Sequence, residues 1–123
     1  MPITEADFGS SLPIDGYGPG FFRVAGVVYR GGVVVEADSV APWGGYADRA
    51  PLLAQAGKVD VLFVGTGPEI AFLPRDLVAE LGAVGLMAEP MASPSAARSY
   101  NVLLSEGRRV ACALLPMPGE APE

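Results

Sequence analysis

The chain has 123 residues, 50% of them hydrophobic and 18% charged, with eight Lys and Arg against fourteen Asp and Glu for a formal net charge of −6. This fits one folded domain with its own core, and the negative balance argues against nucleic acid, whose binding needs cations that displace condensed counterions. With no histidine and one cysteine, a Ser-His-Asp triad, a Cys-His pair, a zinc finger, an iron–sulfur ligand set and an internal disulfide are excluded.

Residues 1–19 are rich in Gly, Pro and Ser, and the first basic residue is Arg23. This stretch reads as an irregular lead without a signal peptide. Residues 21–29 alternate as a β-strand. Gly31-Gly32 then permits a tight turn, and Val33-Val34-Val35 returns as the second strand of an N-terminal β-hairpin. Residues 41–45 break regular structure, and residues 46–56 read as a short helix weakened by Pro51. Residues 59–65 form a nearly continuous apolar strand, which implies cover on both faces.

Gly65-Thr66-Gly67-Pro68 turns the chain, and residues 69–72 read as a short strand. Pro74 suits the first turn of a helix whose apolar face carries Leu73, Leu77, Val78 and Leu81, with Gly82 at its end. Residues 86–89 form a short strand. Ser93-Pro94 supplies an N-cap and first-turn pair for a helix running to Glu106 and stopping at Gly107. Residues 109–115, with Cys112, form the last strand, and the Pro-rich tail from Pro116 frays.

This order predicts one α/β domain over residues 1–123, with its core at about residues 12–116: three layers, with a mixed, partly parallel central sheet flanked by helices and the N-terminal hairpin. No apolar run approaches the roughly 18 residues of a membrane span, so no transmembrane segment is expected, and the cytoplasm is the expected location. The mean hydropathy of +0.36 is high for a small domain and points to an apolar surface patch for a partner or for a homo-oligomer.

Two features carry candidate chemistry. Gly65-Thr66-Gly67 lies at the carboxyl end of the most apolar strand, where ligands collect in open α/β sheets and where glycine-turn N–H groups can cradle an anion. A plain turn is the commoner outcome: no third glycine and no Gly-Lys-Ser/Thr follows, and Pro68 leads to a strand. Ser95, Arg98, Asn101 and Ser105 form a polar stripe on the third helix. Asn101 is a poor mid-helix residue whose amide calls for a specific partner. The other groups offer less. Asp38, Asp48, Asp60, Glu69 and Asp76 show no close pairing by spacing. Lys58 falls at the amino edge of the sheet, Tyr17 and Tyr100 read as packing residues, and Cys112 reads as an inert core thiol. Trp43 is a packing anchor, or an interface candidate if exposed.

The run Tyr17-Gly18-Pro19-Gly20-Phe21-Phe22-Arg23-Val24, the pair Pro42-Trp43, Gly65-Thr66-Gly67, and Arg98-Ser99-Tyr100-Asn101-Val102-Leu103-Leu104 occur in this order. Together they resemble the Mth-type domain family of formerly unknown function, which includes uncharacterised bacterial proteins and the mitochondrial complex I assembly factor 3. The resemblance implies a three-layer α/β fold and a role in respiratory complex I biogenesis through protein contacts. It implies no catalytic reaction, cofactor or metal. It also implies a cleft near the glycine turn and third helix, onto which Gly65, Thr66, Gly67, Arg98, Tyr100 and Asn101 fall. Ala92 and Ala97 stand where members carry a polar or acidic residue and a cysteine, so chemistry needing that acid or thiol is not expected. The reading is a non-catalytic protein-interaction or assembly factor. Its expected partners are complex I subunits or assembly factors, and its expected place is peripheral to the inner membrane through such a partner. The alternative is an anionic-ligand-binding protein or enzyme using the glycine turn and Arg98.

Overall fold

A computed structural model describes residues 9–121. The elements are β1 (Ile14–Gly18), β2 (Phe21–Val24), β3 (Val27–Arg30), β4 (Gly32–Val35), β5 (Val40–Trp43), α1 (Ala50–Leu53), β6 (Val61–Gly65), α2 (Arg75–Ala83), β7 (Ala88–Met91), α3 (Ser93–Ser105) and β8 (Val110–Leu114). Five strands form a mixed sheet in the order β5-β4-β8-β6-β7, antiparallel from β5 to β8 and parallel from β8 to β7. β1, β2 and β3 form a separate antiparallel sheet.

The period-two alternation of side chains along a strand divides the interior into two cores. Val33, Val35, Phe63, Val110, Cys112 and Leu114 face α3 and the small sheet, where they meet Ala96, Tyr100, Leu104, Ile14, Phe22 and Val24. Val34, Leu62, Val64, Ala111 and Ala113 face the other way, toward Trp43, Leu52, Leu73, Leu77 and Leu81. The expected three-layer mixed sheet is therefore present, with β8 as its middle strand.

The small sheet departs from the sequence reading. Residues 21–29 are two strands, paired across Ala25-Gly26, and Gly32–Val35 joins the large sheet instead of returning along them. The turn places Ala25 at φ 47° and Gly26 at φ 83°. Ala25 is costly there, and the Asp15 carboxylate offsets the cost by accepting the Gly26 N–H at 2.9 Å. Gly31-Gly32 instead moves the chain between sheets: a Cβ on Gly32 would lie 2.5 Å from the Trp43 carbonyl oxygen. The lead contains β1, and the break at residues 41–45 overlaps β5. The predicted helix at 46–56 contracts to one turn containing Pro51. Residues 69–72 form no strand. Trp43 is 4% exposed, its ring set edge-on to Tyr46 and its Nε1–H donated to the Asp48 carbonyl at 2.9 Å. It anchors the second core and is not presented to a partner.

Tyr100 and Cys112 are fully buried. Burial pushes the Cys112 thiol and the Tyr100 phenol well above their ordinary values of 9.0 and 10.0. A group whose folded pKa is raised contributes stability that is complete below its unfolded pKa and lost as pH climbs toward the folded one. Urea unfolding from pH 7 upward should therefore show a flat free energy to about pH 9 and a decline above it.

Candidate functional site

The 65–67 turn closes over the start of α3. The Thr66 N–H donates to the Met91 carbonyl at 2.7 Å, and the Gly67 N–H donates to Ser93 Oγ at 2.9 Å. Ser93 returns its own N–H to the Gly67 carbonyl and its Oγ–H to the Leu115 carbonyl, both at 2.7 Å. The sequence reading makes Ser93 an N-cap. It is instead the first residue of α3, with Ala92 at the cap position and no side-chain cap bond. Its fully buried hydroxyl ties the ends of β6 and β8 to α3. The Thr66 and Gly67 donors that could cradle an anion are thus bonded within the protein.

Thr66 also shapes the following loop. Its hydroxyl donates to the Glu69 carbonyl at 2.6 Å, with a longer contact of 3.1 Å to the Met91 carbonyl, and accepts the Ala71 N–H at 3.1 Å. Leu73 turns back into the second core. Between these fixed points Phe72 is 100% exposed and Ile70 is 67% exposed. With Ala71 and Pro90 they line a hollow of about 220 Å³. The sequence reading missed this feature by treating residues 69–72 as a strand. The available signal was the flanking pair Pro68 and Pro74, which isolates the segment from any sheet.

On α3, Asn101 bonds β1 at two points: Nδ2 donates to the Ile14 carbonyl at 2.7 Å, and Oδ1 accepts the Ile14 N–H at 2.9 Å. The Tyr100 hydroxyl donates to the Leu12 carbonyl at 3.0 Å. Arg98 is exposed and borders a hollow of about 240 Å³ with Asp15, Tyr17, Pro94, Ala97 and Asn101. Asp15 also pairs with Arg23 at 2.7 Å, so this hollow carries both signs of charge. None of the three turn residues lines it. The six residues singled out by sequence therefore divide: Gly65, Thr66 and Gly67 belong to the Ser93 junction, Tyr100 and Asn101 hold the small sheet to α3, and exposed Arg98 shares only the hollow beside Asn101.

A larger hollow, about 420 Å³, lies at the opposite end of the sheet among Glu36, Asp38, Lys58, Leu104, Arg108 and Arg109. Its charges are largely matched. Lys58 pairs with Glu36 at 2.8 Å and Arg109 with Asp60 at 2.6 Å. Burial works against the Glu36 carboxylate, but hydrogen bonds from Lys58, Ser39 and Gln55 outweigh it and hold the group below its usual range. The Arg109 hydrogen bond lowers Asp60 likewise. Among the described residues no group of three His, Cys, Asp or Glu is placed to hold a metal ion, and no helix is long and apolar enough to cross a membrane.

Residues 14–115 match the family described as "Protein of unknown function (DUF498/DUF598)". The chain is 61% identical over 122 residues to an uncharacterised protein of Rhodobacter capsulatus, covering 99% of this chain and 98% of that one. It is 26% identical over 127 residues to the mouse NADH dehydrogenase [ubiquinone] 1 alpha subcomplex assembly factor 3, covering 98% of this chain and 69% of that protein. Its fold matches the solution structure of a Bordetella pertussis protein described as a Mth938-like domain, with a TM-score of 0.77 and 30% identity over 98% of this chain and 95% of that one.

Proposed function

From the premise that this chain belongs to the DUF498/DUF598 family of proteins of unknown function, we propose that it is a non-catalytic protein-interaction factor serving the assembly of respiratory complex I. The similarity to an assembly factor named for NADH dehydrogenase supports the process. The observation that carries the mode of action is the pinned loop bearing Phe72 and Ile70. Scattered exposed apolar residues are ordinary, but two large ones bordering one hollow, with Thr66 bonding the main chain on either side of Ile70 and buried Leu73 following Phe72, resemble a docking surface. Two polar groups of the sequence-derived cleft favour this reading, because Tyr100 and Asn101 are engaged in holding elements together. Action at the inner membrane would then come through a partner.

Affinity capture of the tagged chain from detergent-solubilised cells of its own source, read by mass spectrometry, tests the proposal. Enrichment of complex I subunits or of their assembly proteins is the expected result. Recovery of the tagged chain alone would overturn it and turn attention to anionic metabolites at Arg98.

A further inference from the structure

We infer that the segment Met117–Ala121 is a strap that closes on the turn between β1 and β2, opens without unfolding either core, and thereby governs the width of the hollow between β1 and α3. The inference does not depend on the assembly reading.

The sequence reading has this segment fray. It is instead seated. Met117 forms an isolated parallel bridge with Pro19, and the Gly20 N–H donates to the Met117 carbonyl at 3.0 Å. Two glycines far apart in sequence make the seat possible. Gly20 lies at φ 69° and Gly119 at φ 108°, where other residues are strained. A Cβ on Gly20 would lie 2.9 Å from both the Gly119 carbonyl oxygen and the Ala121 nitrogen, and a Cβ on Gly119 would lie 2.7 Å from Pro19 Cβ. Each glycine makes room for the other's segment. Closing orders little extra chain, because Pro116 and Pro118 have φ fixed beforehand.

The strap has a definite pivot. Leu115 is held at both main-chain groups, its N–H donated to the Gly65 carbonyl at 3.0 Å and its carbonyl accepting Ser93 Oγ–H at 2.7 Å, so movement starts at Pro116. Residues 116–121 belong to neither core. Segments with so few buried apolar contacts open at free energies well below that of global unfolding. The rest of the small sheet stays in place, because Ile14, Phe22 and Val24 are buried in the first core and Ile14 is bonded twice to Asn101. What the strap releases is therefore the turn at residues 17–20.

Tyr17 links that turn to the hollow. With Gly18, Pro19, Met117 and Pro118 it lines a space of about 210 Å³ beside the strap. It also lines the hollow of about 240 Å³ that holds Asp15, Arg98 and Asn101. The β1 wall of this hollow is thus fixed at Ile14 by Asn101 and latched beyond Tyr17 by the strap. Opening the strap frees the Tyr17 end alone and widens the hollow beside Arg98.

Native-state hydrogen exchange of the full chain in low urea tests this. The Gly20 amide reports the strap, and the Leu115 amide reports the core behind it. The Gly20 amide should be protected, should exchange about a hundredfold or more faster than Leu115, and should respond little to urea, as local openings do. Gly119→Val should remove the protection of Gly20 and shift the resonances of Tyr17 and Arg98, while the protection of Leu115 and the melting temperature stay unchanged. An unprotected Gly20 amide in the wild type would overturn the inference, because the strap would not be seated. Gly20 and Leu115 exchanging together with one urea dependence would overturn it by making the strap part of the global unit, and so would a Gly119→Val chain that fails to fold. Protection of Gly20 that survives Gly119→Val would remove the glycine seat. Loss of that protection with Tyr17 and Arg98 unmoved would remove the link to the hollow.

Discussion

Replacing Gly65 with alanine is expected to lower the unfolding free energy by about 1–3 kcal/mol, the usual cost of overpacking a tight interior, and valine at the same position is expected to prevent folding. A Cβ at Gly65 would lie 2.6 Å from Ser93 Oγ, 2.7 Å from Leu114 Cδ2 and 2.8 Å from Ser93 Cα. The leucine methyl can rotate away. The Ser93 backbone cannot, because its N–H is bonded to the Gly67 carbonyl and its hydroxyl bridges Gly67 and Leu115. Native domains are held by about 5–15 kcal/mol in total, so a valine that moves α3 off the sheet removes much of that margin. Urea unfolding of the alanine variant checks the estimate. Wild-type stability there would mean that α3 does not seat on the 65–67 turn.

The second large effect is at Tyr100. Tyr100→Ala should cost about 3–5 kcal/mol, as for other buried aromatic truncations, because the ring is fully buried in the first core. Tyr100→Phe isolates the hydroxyl. It leaves the Leu12 carbonyl without its donor and should cost about 1–3 kcal/mol. In the phenylalanine variant the amides of β1 should exchange faster with solvent while those of β8 keep their protection, since Tyr100 and Asn101 together hold residues 12–14 to α3. Uniform loss of protection across both sheets would show that the small sheet is not a separable layer.

The parts of the fold legible in sequence are those with strong periodic signals. The apolar run of β6, the i, i+4 leucines of α2 and the Ser93-Pro94 start of α3 all appear within a few residues of their expected places. The errors share one cause. Gly31-Gly32 is the stronger turn signal, yet the hairpin belongs to Ala25-Gly26, where an alanine at positive φ is sustained by a carboxylate from β1. β1 and β5 are short and interrupted by Gly and Pro; β5 exists by pairing with β4, and β1 by pairing with β2 and by two hydrogen bonds between Ile14 and the distant Asn101. The candidate cleft residues divide between two places for a similar reason. Residue types suited to binding at Thr66, Gly67, Tyr100 and Asn101 are equally suited to joining layers, and only the positions of Ser93, Leu12 and Ile14 decide between the two uses. The exposed loop was hidden because Ile70 and Phe72 alternate as strand residues do, and a strand needs a neighbour that sequence alone does not supply.

The central claim is that this chain assists complex I assembly by binding protein. It is tested most directly by deleting the gene in the source organism and measuring assembled complex I in native gels of solubilised membranes, with the wild-type gene returned as the control. The account predicts a fall in assembled complex I that the returned gene restores. Assembled complex I at its normal level in the deletion strain would contradict it.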